Sequence, residues 1–308
     1  MQDLYEAAIV GGGAAGLSAA LVLGRSCRSA IVCDDGRPRN AVADRMHGFL
    51  SRDGTPPADL LRIGREQLRE YPAVEFAQTR VDAIAAECRA FVIETSGGVS
   101  YRARRVLLAT GVYDALPDVE GLREFWGRCA FVCPYCDGWE VRDKRIAVVG
   151  KGAKAVELAQ ELRQWSDYVI ACMEGDDALN AEHRAWLAAT RTKTILPALR
   201  GLHGGDGCLR YLEFQDGSTE ACDAVFFSAP LRPRYPLVDM LGCRVHDDGK
   251  IEIDERGRTT VPGVYAAGDA VTSVHQVVLA ASSGVCAAMA INEDRLKEEV
   301  RQAVSGIS

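Results

Sequence analysis

Two thiols stand close together near the middle of the chain, in the run Cys133-Pro134-Tyr135-Cys136. Cysteines separated by two residues can close a small disulfide ring and reopen it, so the pair can exchange two electrons. A structural zinc site needs four ligands, and the sequence has no second Cys-x-x-Cys pair and no paired histidines. The spacing therefore predicts a redox pair and no metal site.

Two glycine-rich runs flank this pair, at residues 11–16 and 150–155. Each follows a short apolar strand and precedes a helical segment, and the strand after the first run ends in Asp34 and Asp35. Such a loop and helix N-terminus hold a pyrophosphate, while the acid accepts hydrogen bonds from a ribose 2′-hydroxyl. The sequence therefore predicts two dinucleotide-type βαβ units, and a cofactor on the same chain could carry the electrons of the dithiol.

The remaining segments indicate how these units are arranged. Residues 261–269 form an apolar strand ending in Gly268-Asp269, and an alanine-rich helix starts near Gln276. Because this tail has no nucleotide loop of its own, we expect it to return to the first domain. We predict an α/β fold with two Rossmann-like domains of the three-layer ββα type, the second inserted into the first. The first domain comprises residues 1–114 and 244–308; the second, residues 115–243, carries the dithiol.

Composition narrows the class of protein. The 308 residues are 48% hydrophobic and 26% charged, as in an ordinary globular protein, and the net charge of −7 argues against a general nucleic-acid binder. The eleven cysteines are odd in number and scattered, which indicates a reducing cytoplasm with mostly buried free thiols. We predict that Cys129 has a packing role, with a role as third redox partner of the dithiol as the alternative. Packing roles are also predicted for Cys27, Cys33, Cys88, Cys172, Cys208, Cys222, Cys243 and Cys286. The uncharged stretch at residues 7–24 contains five glycines and is better explained by the nucleotide loop than by a membrane span, so we expect no membrane association.

Taken together, four segments resemble the low-molecular-weight thioredoxin reductase family of flavoproteins. They are residues 11–16, Leu-Ala-Thr-Gly at 108–111, Cys-Pro-Tyr-Cys-Asp-Gly at 133–138, and residues 263–269. The resemblance implies an FAD domain interrupted by a smaller pyridine-nucleotide domain that carries the dithiol, usually in a homodimer.

The same resemblance implies which residues hold FAD. Asp34, with Asp35 as the alternate, would bind the adenosine ribose, and Asp269 the ribityl or phosphate portion. The helix beginning near Gln276 would point its N-terminus at the flavin ring. The full set of implied FAD contacts is Gly11, Gly13, Ala14, Ala15, Gly16, Asp34, Asp35, Arg39, Asn40, His47, Thr110, Gly111, Gly268, Asp269, Gln276 and Val277.

Four residues receive catalytic roles from the resemblance. Cys136 would face the flavin, and Cys133 would exchange with the substrate thiol or disulfide. Asp137 is placed as the acid–base that shuttles the thiol proton. His275 would donate to the flavin or carry a proton near the dithiol, although a helix-capping or core histidine explains it equally well.

Some segments depart from the family's reductases. After the second glycine loop those enzymes have basic residues that grip the NADPH 2′-phosphate, whereas this chain reads Cys-Met-Glu-Gly-Asp-Asp at 172–177. Three acids would repel that phosphate, so NADPH is disfavoured. His275-Gln276 replaces the usual Arg-Gln pair, and residues 34–40 and 46–49 look more like the family's side branch of dithiol oxidases and NADPH-independent reductases. Asp137 stands where many of those oxidases have histidine, which leaves the direction of reaction open.

The sequence thus predicts an FAD-dependent dithiol/disulfide oxidoreductase with weak or no use of NADPH. Its substrate would be a small-molecule dithiol or disulfide, or a thioredoxin-like protein. Two alternatives stay open at this stage. The chain could be a reductase fed by NADH, ferredoxin or a second flavin, or a flavin-containing sensor whose dithiol reports redox state without turnover.

Overall fold

The computed structural model describes residues 4–234 and 236–305, which divide into two compact units. The first unit comprises residues 1–41, 45–113 and 232–308, and the second comprises residues 42–44 and 114–231. The α/β fold with one Rossmann-like unit inserted into the other is thereby confirmed.

The first unit opens with two helices and nine strands, the last of them at the boundary with the second unit. In chain order these elements are β1 (Leu4–Tyr5), β2 (Ala7–Val10), α1 (Ala14–Arg25), β3 (Ala30–Asp34), α2 (Pro57–Leu68), β4 (Val74–Gln78), β5 (Val81–Glu87), β6 (Ala90–Thr95), β7 (Ser100–Ala103), β8 (Val106–Leu108) and β9 (Val112–Asp114).

The second unit follows along the chain. Its elements are α3 (Leu122–Phe125), β10 (Ala130–Phe131), α4 (Pro134–Asp137), β11 (Ile146–Val149), α5 (Ala153–Leu162), β12 (Val169–Cys172), α6 (Ala181–Thr190), β13 (Lys193–Ile195), β14 (Leu199–Gly205), β15 (Cys208–Phe214), β16 (Thr219–Ala221), β17 (Ala224–Phe227) and, at its end, β18 (Leu231–Pro233).

The chain then returns to the first unit with three more elements: α7 (Leu237–Leu241), β19 (Val264–Ala266) and α8 (Val277–Ser305). Short 3₁₀ turns lie at Arg39–Val42 and Gly268–Val271.

The alternating direction of successive side chains explains the three layers of the first unit. Its parallel sheet has the order β19-β8-β2-β3-β4, and successive residues of each strand point to opposite faces. Ala8 and Val10 face the core beneath the small sheet β1-β7-β6-β5, whereas Ala7 and Ile9 face the core beneath α1, α2 and α8. Both faces are covered, so the strands read as continuous apolar runs.

The second unit repeats this plan. Its parallel sheet has the order β10-β17-β11-β12-β13. Ala147 and Val149 face a core closed by the antiparallel sheet β14-β15-β16, and Ile146 and Val148 face the core under α5.

The predicted boundary between residues 243 and 244 is wrong by twelve positions, because the structure places it between 231 and 232. Residues 232–243 belong to the first unit, where Leu237 and Val238 of α7 and the following Cys243 are buried in the core beneath the small sheet. The boundary was predicted from the polar and turn residues at 241–248, because the preceding helix α7 has only five residues and gives no clear helical pattern in the sequence.

Candidate functional site

The first glycine loop is shaped by contacts that leave no room for side chains. Gly11 has a φ of 108° and a Cβ there would overlap the carbonyl oxygen of Ala109, while a Cβ on Gly16 would overlap that of Gly11. Gly13 differs, because no atom lies within 4 Å of its Cβ position. The loop is therefore tight against the sheet on one side and open on the other.

The open side coincides with the start of α1. Gly13 is the N-cap residue, no side chain caps the helix and no acid lies in its first turn, which contains the predicted residues Ala14, Ala15 and Gly16. Amide groups in a first helical turn lack intrahelical partners and attract anions.

Asp34 ends β3 beside this loop and is only 8% exposed. Its carboxylate accepts a hydrogen bond from the Gly12 amide at 3.0 Å and lies 3.0 Å from Nη2 of Arg65 on α2. A carboxylate oxygen can accept more than one hydrogen bond, so Asp34 keeps capacity for a hydroxyl group. The carboxylate of Asp35, the next residue, accepts a hydrogen bond from the Arg37 amide at 3.2 Å.

Segments far apart in sequence meet at this edge of the first unit. Nη1 of Arg39 lies 3.6 Å from a carboxylate oxygen of Asp269. A Cβ on Gly268 would lie 3.0 Å from Ala15, and the Gly268 amide donates to Ser283 on α8 at 2.8 Å. The structure thus brings the Gly-Asp segment, the residues after β3 and the first glycine loop to one place.

The remaining predicted residues of the first unit lie on turns and at the start of α8. The helix begins at Val277, directly after His275 and Gln276, and Oε1 of Gln276 lies 3.3 Å from the Cβ position of Gly48. Nδ1 of His47 lies 3.4 Å from Asp53, whose carboxylate also accepts from the Gly48 amide. Asn40 lies in the 3₁₀ turn after β3, and Thr110 and Gly111 follow β8.

In the second unit, Cys133 and Cys136 are joined in a disulfide, with their Cα atoms 5.3 Å apart. Cys133 is the N-cap residue of α4, and its carbonyl oxygen accepts from the amides of Cys136 and Asp137, both at 3.2 Å. Pro134 at the first helical position fixes the turn, since its ring presets φ and it has no amide hydrogen to satisfy. The ring closure that the spacing predicted is therefore present.

Three aromatic side chains lie within or next to α4. Tyr135, between the cysteines, is 71% exposed and meets Trp165 edge-on with centroids 5.6 Å apart. Trp139, two residues after the end of α4, is 65% exposed, and the Arg142 guanidinium carbon lies 4.2 Å from the centroid of its ring. A Cβ on Gly138 would lie 2.9 Å from the Trp165 ring, so glycine lets that ring pack beside α4.

The second glycine loop is arranged differently from the first. Gly152 caps α5 with a φ of 50°, and a carboxylate oxygen of Asp176 lies 2.8 Å from its Cβ position. The other oxygen of Asp176 accepts from the Ala178 amide at 2.9 Å. This carboxylate therefore lies beside the helix N-terminus at which a pyrophosphate would be expected.

The other two acids of this segment do not face the loop in the same way. Glu174 uses Oε1 to accept from the Leu199 amide at 2.9 Å, which ties it to the start of β14. Asp177 is exposed, and its carbonyl oxygen accepts from Arg184 at 3.3 Å. The sequence predicts that all three acids repel a phosphate, whereas in the structure it is Asp176 whose carboxylate lies beside the loop.

Among the other cysteines, the prediction of burial is right for four residues and wrong for four. Cys33, Cys172, Cys222 and Cys243 are buried as predicted, but Cys27, Cys88, Cys208 and Cys286 are exposed. Cys27 and Cys88 lie on turns, Cys208 is the first residue of β15, and Cys286 lies on α8. Burial raises the pKa of Cys33 and of Cys222 to about 12, so both stay neutral thiols. Cys129 is a free thiol that donates to the Gly207 carbonyl oxygen at 3.3 Å and packs against the core of the second unit.

The sequence of this chain matches a known protein family over most of its length. Residues 5–284 match the family described as pyridine nucleotide-disulphide oxidoreductase. The chain belongs to this family. It is similar to thioredoxin reductase tcpT of Claviceps purpurea, with 33% identity over 92% of this chain and 91% of that one. It is also similar to thioredoxin reductase of Listeria innocua, with 28% identity over 98% and 97% of the two chains.

Solved structures agree with this assignment. The crystal structure of HlmI superposes with a TM-score of 0.94 and 40% identity, covering 98% of this chain and 96% of that chain. The resemblance to thioredoxin reductase-like flavoproteins is therefore confirmed, and the chain is an oxidoreductase of that family.

Proposed function

We propose that the chain is an FAD-dependent dithiol/disulfide oxidoreductase that exchanges electrons between the Cys133–Cys136 disulfide and FAD, with weak or no use of NADPH. The observation that carries the proposal is the closed disulfide on α4 of a chain whose family consists of disulfide oxidoreductases. The substrate would be a small-molecule dithiol or disulfide, or a thioredoxin-like protein; the names of the thioredoxin reductase relatives support the second of these.

The edge of the first unit fits the pyrophosphate and ribose of FAD. The open side of Gly13 leaves room for a phosphate against the first turn of α1, and the buried Asp34 can accept from a ribose hydroxyl. Arg39 beside Asp269 places a cation and an anion near the same edge, where phosphate and hydroxyl groups would be bound. When bound, FAD supplies a two-electron acceptor and donor for the thiols.

The chain's own residues supply the thiol chemistry. A substrate dithiol attacks the Cys133–Cys136 disulfide, a mixed disulfide forms at Cys133, and Cys136 leaves as a thiolate. The second substrate thiol then closes the substrate disulfide and releases Cys133 reduced. Asp137, next to Cys136 in α4, would take up and return the proton. Two electrons and two protons pass from substrate to enzyme in this half of the cycle, and the reverse sequence reduces a disulfide.

Asp176 supports the proposed weakness toward NADPH. Its carboxylate lies beside Gly152 at the start of α5, so a dinucleotide phosphate would meet a negative charge in place of free amide groups. An NADH-fed reductase remains the second candidate, because NADH lacks the 2′-phosphate and so brings less negative charge to these acids.

Two serine variants test the dithiol assignment. Cys133→Ser and Cys136→Ser should each abolish oxidation of dithiothreitol, because either change removes the disulfide, while the purified proteins stay yellow. Cys129→Ser is the matched control and should keep its turnover, since that thiol is bonded to the Gly207 carbonyl. If the Cys133→Ser/Cys136→Ser double variant still oxidised dithiothreitol, Cys133 and Cys136 would not be the redox-active pair.

A further inference from the structure

The helix that carries the disulfide is too short to hold its own shape. α4 has only four residues, Pro134–Asp137, which include Cys136, while Cys133 is its N-cap residue. A single helical turn is unfavourable in isolation, because several backbone angles are fixed for one hydrogen bond. The distance between the two thiols in the reduced protein therefore depends on contacts from outside the turn.

A side chain from another part of the second unit makes such contacts. Trp165 follows the end of α5, and its amide donates to the Leu162 carbonyl oxygen at 2.9 Å. The side chain is half-buried and packs against the core under α5, to which Leu162 and Ile146 belong. This core fixes the position of the indole.

The indole of Trp165 meets the dithiol turn at two points. The Tyr135 ring lies edge-on to it, with centroids 5.6 Å apart and ring planes at 90°. Carbon Cδ2 of the indole lies 2.9 Å from the Cβ position of Gly138, so a side chain at 138 would displace the ring or the turn. Tyr135 precedes Cys136 and Gly138 follows it, so the two contacts lie on either side of this cysteine in the sequence.

The backbone at the same place holds the end of the dithiol segment. The Trp165 carbonyl oxygen accepts from the Asp143 amide at 2.9 Å, and Oγ of the buried Ser166 donates to the Lys144 carbonyl oxygen at 2.6 Å. Asp143 has a φ of 61°, in the left-handed region that aspartate adopts more readily than most residues. Two consecutive residues after α5 therefore contact the segment from 135 to 144.

We propose that Trp165 is a positioning residue that sets the balance between the disulfide and dithiol forms of Cys133 and Cys136, acting through Tyr135 and Gly138. A turn that is already held in place loses less conformational entropy when the disulfide closes. The indole therefore favours the oxidised form, and its removal should make reduction easier. The inference rests on the thiol pair of the proposed function and holds whichever electron carrier the flavin uses.

A second aromatic residue near the turn serves as the matched control. Trp139 is 65% exposed, and its ring contacts the Arg142 guanidinium of the same segment. Its contact with Arg142 therefore ties the segment to itself, whereas Trp165 ties it to the core of the second unit.

Equilibration with glutathione measures the balance in the FAD-loaded protein without oxygen. Two glutathione molecules transfer two electrons and two protons to the Cys133–Cys136 disulfide, which gives two protein thiols and one glutathione disulfide. The free thiols are alkylated, and mass spectrometry counts the labels in the peptide 129–142, which trypsin releases by cleaving after Arg128 and Arg142. A Cys129→Ser background leaves the redox pair as the only cysteines in this peptide.

The aromatic variants should differ in this equilibrium. Trp165→Ala should raise the equilibrium constant for reduction about tenfold, which corresponds to a reduction potential about 30 mV higher. Tyr135→Ala should act in the same direction, and the double variant should shift the constant no further than the larger single effect, because both changes remove one contact. Trp165→Phe keeps an aromatic ring for that contact and should stay within about threefold of the wild type, and Trp139→Ala within about twofold.

Two results would overturn the proposal. One is a Tyr135→Ala variant whose equilibrium constant stays within about twofold of the wild type, and the other is a pair of effects that multiply in the double variant. Because Tyr135 is 71% exposed, its variant keeps the proposal testable even if Trp165→Ala fails to fold. A failure of the proposed function is a separate result, since a flavin that no dithiol bleached would leave the glutathione equilibrium as a measure of what Trp165 does.

Discussion

Different charged groups lie beside the two glycine loops. Gly13 faces open space at the start of α1, whereas Gly152 at the start of α5 has the Asp176 carboxylate beside it. The Asp34 carboxylate beside the first loop is paired with Arg65 at 3.0 Å, and no acid lies in the first turn of α1, so the Asp176 carboxylate places a negative charge at the second helix N-terminus that the first one lacks. At about 4 Å and an effective dielectric constant of about 20, two unit charges interact by about 4 kcal/mol, enough to decide which loop accepts an anion.

Neutralising this acid should change the cofactor response. We expect Asp176→Asn to raise the rate of flavin reduction by NADPH by at least about tenfold, because about 1.4 kcal/mol of repulsion corresponds to that factor. Asp177→Asn is the matched control, since Asp177 is the exposed neighbour in the same turn. Equal rates for the two variants in a stopped-flow experiment would show that the Asp176 charge does not limit NADPH.

Residue types and spacing predicted the Cys133–Cys136 ring, because its geometry is local and two intervening residues suffice to close it. They did not predict that Asp176 rather than Glu174 faces the second loop. Glu174 is drawn away by the Leu199 amide at the start of β14, a contact between segments 25 residues apart. Sequence patterns carry no signal for such a hydrogen bond.

At the scale of elements, the first glycine loop and α1 depend on close backbone approach. Gly16→Ala should destabilise the protein by about 2 kcal/mol or more and remove FAD, because its Cβ would overlap the Gly11 carbonyl oxygen. Gly13→Ala meets no atom within 4 Å, so stability should change by less than about 1 kcal/mol. Its methyl group should still lower flavin content by filling the open side of the loop.

Urea unfolding and the flavin content of the purified variants separate these effects. If Gly13→Ala binds FAD as well as the wild type, the open side of this loop is not where the pyrophosphate lies.

The strands and helices around the loops were largely predictable. Strands buried on both faces appear in the sequence as apolar runs, and the first glycine loop is followed directly by the small apolar residues of α1. The helix α7 was missed. Its five residues are too few to show a helical period, and Leu237 and Val238 are buried by the first unit rather than by neighbours in sequence. The sequence also did not predict which residues of α8 are exposed, among them Met289, Leu296 and Val300, since an alanine-rich helix does not indicate which side its own unit covers.

At the scale of the whole molecule, the C-terminal helix is anchored by charge. Asp294 accepts from Nε and Nη2 of Arg258 at 2.7 and 2.9 Å and from the Tyr265 hydroxyl at 2.7 Å. These hydrogen bonds, those of Arg258 foremost, hold the pKa of Asp294 below its ordinary value. The depressed pKa contributes stability above the unfolded-state value of about 3.9, and that stability is lost as the pH falls through the folded-state pKa.

Asp294→Asn should therefore be less stable than the wild type at neutral pH by about 1 kcal/mol. The difference should shrink as the pH falls below about 4, because the wild-type carboxylate is then protonated as well. Asp247→Asn, at an exposed position in a turn, is the control. Urea unfolding at several pH values measures the difference; a gap that stayed constant down to pH 2 would assign the effect to packing rather than to charge.

The most direct test of the account follows the flavin itself. Oxidised, FAD-loaded protein is mixed without oxygen in a stopped-flow instrument with dithiothreitol, NADPH or NADH at equal concentration. Dithiothreitol should bleach the flavin absorbance more than about tenfold faster than NADPH does, and the Cys133→Ser variant should lose this response. Flavin bleaching by NADPH as fast as by the dithiol would contradict this prediction.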